Sequence, residues 1–386
     1  MTYDELILVS YVPFGAPHGL ADRVRGICNA FQRKGVRCTV ICPGRRDESI
    51  DIDKVKVLRT SVPFFGSALS LRGGAKIIAH LLFLVKAFPK VLRMCLQSRC
   101  LVLIEQIVGL PIMLSMLLLG FSKRVVLDDL NLLHGAYTFA PRPLLVMVDM
   151  LSLLGPGPIS TASSATVAFA RRWKPNKQVL FTPNGVEVSR RDQTSTTGSA
   201  RRLLFVGNLS FEQNRVAVGH VIRIAEEVRR QAGDFTIEIV GGPISAAPSF
   251  QSETVRELVK FHGFISDSEL DRLTRECAIG ILPFFDDTLL TGGQRTKAMR
   301  FMAAGLLVVS GPQGVGRIRG IRPGVDYLEA RTPHEFAELL ACAINDFERF
   351  RAVAARGKES VEMFYSWDET VKPLIRHFFG RPDCEA

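Results

Sequence analysis

The chain has 386 residues, too many for one ordinary hydrophobic core and suited to two domains. Its 47% hydrophobic and 23% charged residues, without low-complexity tracts or solenoid repeats, exclude a disordered or repeat protein. A net charge of +11 favours anionic partners, and eight cysteines without a C-x-x-C pair exclude a zinc ribbon or dithiol redox motif, leaving buried thiols of a cytosolic protein.

The N-terminus, MTYDELILVS, places acids before a short apolar run and lacks a basic leader, so it reads as a first strand over 6–10. The loop that follows, YVPFGAPHGLADRVRG, carries Gly15, His18, Gly19 and Arg23 to the ligand end of that strand. These residues suit an acceptor site or, equally, a surface loop opening a helix over 20–34. Strands are expected next over 38–42 and 55–59. Between residues 54 and 104 there is no Asp or Glu but nine Lys or Arg, interleaved with Phe and Leu, and a helix is expected over 74–97. That pattern suits the anionic cytoplasmic face of a membrane, or a plain solvated basic face. No nucleic-acid-binding motif accompanies it.

Residues 101–121 have the length of a membrane span, but Glu105, Gln106 and Pro111 interrupt them. The segment reads instead as a buried strand over 101–105 and a helix over 110–119. Another strand, 125–128, runs into Asp128, Asp129, Asn131 and His134, which are candidates to orient an acceptor or transfer a proton, and equally ordinary helix caps. A strand over 157–161, a helix over 165–172 and a strand-like run over 179–181 lead to a Pro-Asn-Gly-Val turn.

The polar segment 188–202 reads as a linker between a domain over 1–187 and a second over 203–364, with a tail over 365–386 whose helix crosses back to the first domain. The second half repeats the strand and helix alternation of a parallel sheet. Strands are expected over 203–207, 235–241, 261–263, 279–283 and 307–310. Helices are expected over 215–231, 251–260, 267–276, 294–304 and, with Thr332 as cap and Pro333 at its first position, 333–361.

The strongest site signal is TGGQRTKAMRFMAAG. Gly292 and Gly293 allow close backbone approach just before a helix, whose exposed amides favour a phosphate. Arg295 and Lys297 add cations suited to clamp a departing diphosphate. A second glycine-rich loop, SGPQGVGRI, brings Gly314 towards a nucleotide. LLFVGNLSFEQN brings Gly207, Asn208 and Asn214 to the same end of the sheet.

From residue 203 to about 367 the sequence resembles the GT-B glycosyltransferases of the glycosyl transferases group 1, or glycogen-synthase-like, superfamily. FVGNLSFEQN, IEIVGG, VKFHGFISDSEL, the GGQRTK–MAAG–VVSG run, PGVDYLEA, YSW and PNGVE carry the resemblance. It implies two Rossmann-like, doubly wound α/β domains facing across a cleft, with a nucleotide-sugar donor in the C-terminal one. It also implies no required metal or other cofactor, and retention of configuration. The group's two common glutamates fall at Gly292 and Arg300, so neither carboxylate is present, and Arg300 becomes a donor-side candidate. Its common Arg and Lys after the first C-terminal strand fall at Asn208 and at Asn214 or Arg215, and its frequent histidine falls near Leu130, with His134 one turn on.

The function expected is transfer of a sugar from a nucleotide-sugar to a saccharide or lipid-linked acceptor at the cytoplasmic membrane surface. Arg295 and Lys297 are the expected charge-stabilising groups, with Asp129 or His134 as base if the reaction inverts. The alternatives are a non-catalytic partner subunit of a membrane glycosyltransferase and a nucleotide-sugar epimerase on the same fold.

Overall fold

The computed structural model describes residues 3–14, 19–62, 74–121, 124–129, 132, 141–155, 157–188, 198–250, 252–285, 296–315 and 318–380, with backbone alone at 74–77, 106–110, 117 and 129. The chain divides into two compact units, Met1–Gly185 with Trp367–Ala386, and Val186–Ser366.

In the N-terminal unit β1 (Glu5–Val9), α1 (Gly19–Gln32), β2 (Arg37–Gly44), β3 (Glu48–Ile52), β4 (Val55–Ser61) and α2 (Gly74–Gln97) come first. They are followed by β5 (Cys100–Glu105), α3 (Gln106–Leu118), β6 (Val125–Asp129), α4 (Arg142–Ser152), β7 (Ile159–Thr161), α5 (Ser164–Trp173) and β8 (Val179–Phe181). The sheet order is β3-β4-β2-β1-β5-β6-β7-β8, and every pairing is parallel except the β3–β4 hairpin. Central strands such as CLVLIE are buried along their whole length, as a sheet covered on both faces requires.

β4 covers the strand expected over 55–59, but β3, and with it the β3–β4 hairpin, is not among the expected elements. Its two-residue turn, Asp53-Lys54, has φ of 49° and 65°, the positive-φ pair of a tight hairpin, but without the Asn-Gly or Asp-Gly that announces one. The helix expected over 110–119 begins at Gln106, directly at the end of β5, and contains Pro111.

The C-terminal unit holds β9 (Ser199–Val206), α6 (Glu212–Ala232), β10 (Thr236–Val240), α7 (Glu253–Leu258), β11 (Val259–Gly263), α8 (Asp267–Glu276) and β12 (Cys277–Leu282). Then come α9 (Thr296–Ala303), β13 (Leu307–Ser310), α10 (Pro312–Val315), β14 (Leu328–Glu329), α11 (Pro333–Asn345) and α12 (Phe347–Tyr365). The sheet order β11-β10-β9-β12-β13-β14 is that of a dinucleotide-binding fold. The single helix expected over 333–361 is two, because Asp346 (φ −135°, ψ 64°) leaves the helical region and caps the second through the Arg349 amide.

Past Ser366 the chain rejoins the N-terminal unit as α13 (Trp367–Thr370) and α14 (Lys372–Phe378). The Trp367 ring lies so close to Gly26 and Gly185 that a Cβ would come within 1.9 Å and 2.7 Å of it. Glycine is therefore required sterically at both positions.

Candidate functional site

In the C-terminal sheet the strand order reverses direction at β9 and β12, the place where open parallel sheets bind ligands beyond their carboxyl ends. Four of the expected donor-side residues, drawn from two separate segments, converge there. Lys297, on the first turn of α9, donates from Nζ to Asn214 Oδ1 at 2.7 Å. Asn214, buried on α6, donates in turn to the Asn208 carbonyl at 2.6 Å. Nζ also lies 5.3 Å from the Phe205 ring centroid and 5.2 Å from that of Phe284, at the ends of β9 and β12. Each cation–π contact of this kind adds about 1 kcal/mol, and the asparagine orients the ammonium without cancelling its charge.

Gly207 makes this convergence possible. A Cβ there would stand 2.9 Å from Asn214 Cγ, 2.9 Å from a Phe205 ring carbon and 3.0 Å from Lys297 Nζ. The Gly207 amide donates to Val240 O and that of Leu209 to Gly242 O, each at 2.8 Å, so the loops after β9 and β10 are joined. Gly241 (φ 122°) passes so near that a Cβ would lie 2.1 Å from the Gly207 carbonyl. Asn208 fixes the turn by accepting from the Ser210 amide at 2.8 Å. Arg215 turns back on the same loop, donating to Leu209 O and Ser210 O at 3.0 Å each.

The reason for Gly314 is internal packing: a Cβ would meet Ser310 Oγ at 2.3 Å and the Leu282 carbonyl at 2.5 Å, so the glycine lets α10 seat on β12 and β13. Ser310 Oγ accepts from the Val315 amide at 3.1 Å and holds that helix start. Arg300 is exposed on α9. Gly292, Gly293 and Arg295 lie outside the described residues.

In the N-terminal unit Arg23 is not an accessible acceptor-side cation: it is 1% exposed. It meets Asp128 through two hydrogen bonds of 2.8 and 2.7 Å and donates to the Thr182 carbonyl and hydroxyl at 2.8 and 2.9 Å. Ser160 Oγ, at 2.7 Å, completes the Asp128 shell. A bidentate guanidinium–carboxylate pair ties α1 to β6 and β8 beneath their loops. Gly19 opens α1, and Asp129 ends β6 opposite Thr161. His18, Asn131 and His134 lie outside the described residues.

Residues 200–346 match the family described as Glycosyl transferases group 1. That match spans most of the C-terminal unit. No curated protein matches the chain. Among solved structures, sucrose-phosphate synthase from Thermosynechococcus elongatus is similar over 98% of this chain and 99% of its own (TM-score 0.69, 15% identity). Anabaena Alr3699/HepE, in complex with UDP and glucose, is similar over 97% and 99% (TM-score 0.63, 13% identity). A trehalose-6-phosphate structure from E. coli bound with UDP-2-fluoro glucose is similar over 97% and 98% (TM-score 0.65, 11% identity). At these identities the likeness shows the fold, which is GT-B.

Within the glycosyltransferase fold, two features escaped the sequence reading. The first is the pair of aromatic faces under Lys297, which needs the three-dimensional adjacency of β9 and β12. The second is Glu105 at the carboxyl end of β5. It is 5% exposed, and one oxygen accepts from the Tyr11 amide at 3.0 Å. Its Oε1 has no hydrogen-bond partner among the described residues. Burial drives its pKa up to about 8, aided by the neighbouring Asp128 and opposed by the Tyr11 and Ser10 hydrogen bonds and by Arg23. The signal was a lone acid ending an otherwise apolar strand.

Proposed function

We propose that the protein transfers a sugar from a nucleotide-sugar to a saccharide acceptor, with the diphosphate of the donor bound at the switch point of the C-terminal sheet. The observation that carries this reading is the position of the Lys297 ammonium, held by Asn214 and two ring faces at the carboxyl ends of β9 and β12. As the sugar–phosphate bond breaks, negative charge grows on the departing diphosphate, and a preorganised cation there lowers the barrier. Removal of one such donor costs about 3 kcal/mol, or about a hundredfold in rate. Arg295, two residues after the paired glycines, is the second cation of the proposal, and Arg300 stands on α9 with Lys297 for the rest of the nucleotide. Charge neutralisation is assigned to these side chains with no metal ion. Retention follows from the group 1 resemblance, with the leaving phosphate itself accepting the acceptor proton. Asp129 and His134 are the bases to test if the product is inverted.

The acceptor we infer is a saccharide carried on a lipid at the anionic cytoplasmic face of a membrane, where the protein is peripheral. The basic, acid-free stretch 54–104 supports it. No helix among the described residues is long and apolar enough to cross a membrane.

Incubation of the purified protein with a panel of nucleotide-sugars, in EDTA and without it, tests the reaction. Slow donor hydrolysis without acceptor, and faster nucleotide release with formation of a glycosylated product when a saccharide acceptor is added, both insensitive to the chelator, are the expected results. Absence of both nucleotide binding and hydrolysis overturns the reading in favour of a non-catalytic partner subunit, and interconversion of two nucleotide-sugars favours an epimerase.

A further inference from the structure

Helices α2 and α3 cover one face of the N-terminal sheet, and their inner sides form a single apolar core with its strands. Helix α4 continues the layer, since the turn at its end packs on α3 through Gly155 and Met113. A surface helix ordinarily turns polar residues to water. These three do the reverse. On α2, Ile78, Leu81 and Val85 are 56%, 54% and 70% exposed, spaced along one outer stripe. On α3 Leu118 is 87% exposed, and on α4 Leu144 and Met147 are 46% and 49% exposed. Half of the twenty large apolar side chains exposed among the described residues lie on these three helices, against two on the α-helices of the C-terminal unit. A contiguous face of this kind signals a binding surface rather than scatter.

The charges say what covers it. Helices α2 and α3 contain no acid, and the one acid of α4, Asp149, is 2% exposed. Lys86 and Arg93 on α2 and Arg142 at the start of α4 are exposed among the apolar residues. Asp47 lies beside α2 but is paired with Lys90. An apolar face edged with cations, whose neighbouring exposed acid Asp47 is held by Lys90, complements anionic headgroups and the acyl boundary beneath them, whereas a protein partner would need matching acids of its own.

We propose that the outer face of α2, α3 and α4 lies in an anionic lipid surface, with Val85, Leu118 and Met147 inserted and the basic residues at headgroup level. This rests on the reading of a membrane-borne acceptor and goes further: insertion, not charge alone, holds the protein there. Binding therefore survives salt that screens exposed charges, because apolar burial is not screened.

The test is sedimentation of the full chain with vesicles of phosphatidylglycerol and phosphatidylcholine in equal parts, at low and high salt. The wild type is expected to pellet in both. The double variant Val85→Glu/Met147→Glu, at positions already in water, should keep its circular dichroism and thermal unfolding and bind roughly tenfold or more weakly. Met363→Glu, an exposed apolar site of the C-terminal unit, should bind as the wild type does. Pelleting that is the same in the double variant, or that disappears in high salt, overturns insertion. So does a concentration-dependent dimer, without vesicle binding, that the double variant abolishes. Thermal shift by nucleoside diphosphates on the same samples separates the two readings. Nucleotide binding without pelleting sinks the membrane face and leaves the transferase standing. Pelleting without nucleotide binding does the opposite.

Discussion

The carboxyl ends of the two sheets each hold a cation from the first turns of a helix, and they set it in different surroundings. In the N-terminal unit Arg23 is spent: two hydrogen bonds bind it to Asp128, and Thr182 takes further donors. In the C-terminal unit Lys297 rests on the neutral amide of Asn214 and two aromatic faces. A charge matched by a carboxylate inside the protein fastens elements together. A charge set against an amide and ring faces at the ligand end of a sheet stands where an arriving diphosphate would meet it. Sequence position does not distinguish them, since both residues follow a glycine-bearing loop after a strand; burial and partner chemistry do.

The largest expected effect breaks the N-terminal side of this comparison. Replacing Arg23 by Ala strands the Asp128 carboxylate in the core and should lower stability by about 3–5 kcal/mol, read as a fall in the first thermal transition. The affinity of the folded protein for nucleoside diphosphates should not change. Loss of nucleotide affinity without loss of stability would make Arg23 a ligand-binding residue after all.

A smaller effect sharpens the C-terminal side. Gly207→Ala places a methyl within 3.0 Å of Lys297 Nζ and 2.9 Å of Asn214 Cγ, so the flexible lysine must move. Overpacking of this kind costs about 1–3 kcal/mol, and nucleotide affinity should fall about tenfold. An unchanged affinity, measured by calorimetry, would show that the ammonium can bind from elsewhere.

A third test is the pH effect at Glu105. Its folded pKa, up to about 8, stands above the ordinary carboxylate value, so between the two the unfolded chain releases a proton that the folded chain keeps. The resulting destabilisation is absent below about pH 4, grows as pH rises and is complete above about pH 8. Glu105→Gln removes it, so the variant's melting temperature relative to the wild type should climb across that window. A flat difference would place the Glu105 pKa near its ordinary value.

The sequence announced most of the scaffold because the scaffold obeys ordinary periodicity: α8 and β13 run over the residues expected of them. It hid α4 for a physical reason. Leu144, Met147 and Met150 face outwards while Asp149 and Ser152 are buried, the inverse of the pattern that periodicity assumes. The donor-side cluster was partly legible, since Gly207, Asn208, Asn214 and Lys297 were each marked by a loop at a strand end. Their mutual hydrogen bonds were not, because they join residues 83 positions apart. Arg23 misled because an arginine at a helix start looks the same in sequence whether it meets solvent or a buried aspartate.

The account turns on the Lys297 ammonium receiving a diphosphate. Isothermal titration of uridine diphosphate, alongside the other nucleoside diphosphates, into the wild type and Lys297→Ala tests this most directly. The account predicts saturable binding of at least one nucleotide to the wild type and a loss of about tenfold or more in affinity in the variant, with the fold intact. Equal affinity in the two proteins would contradict it.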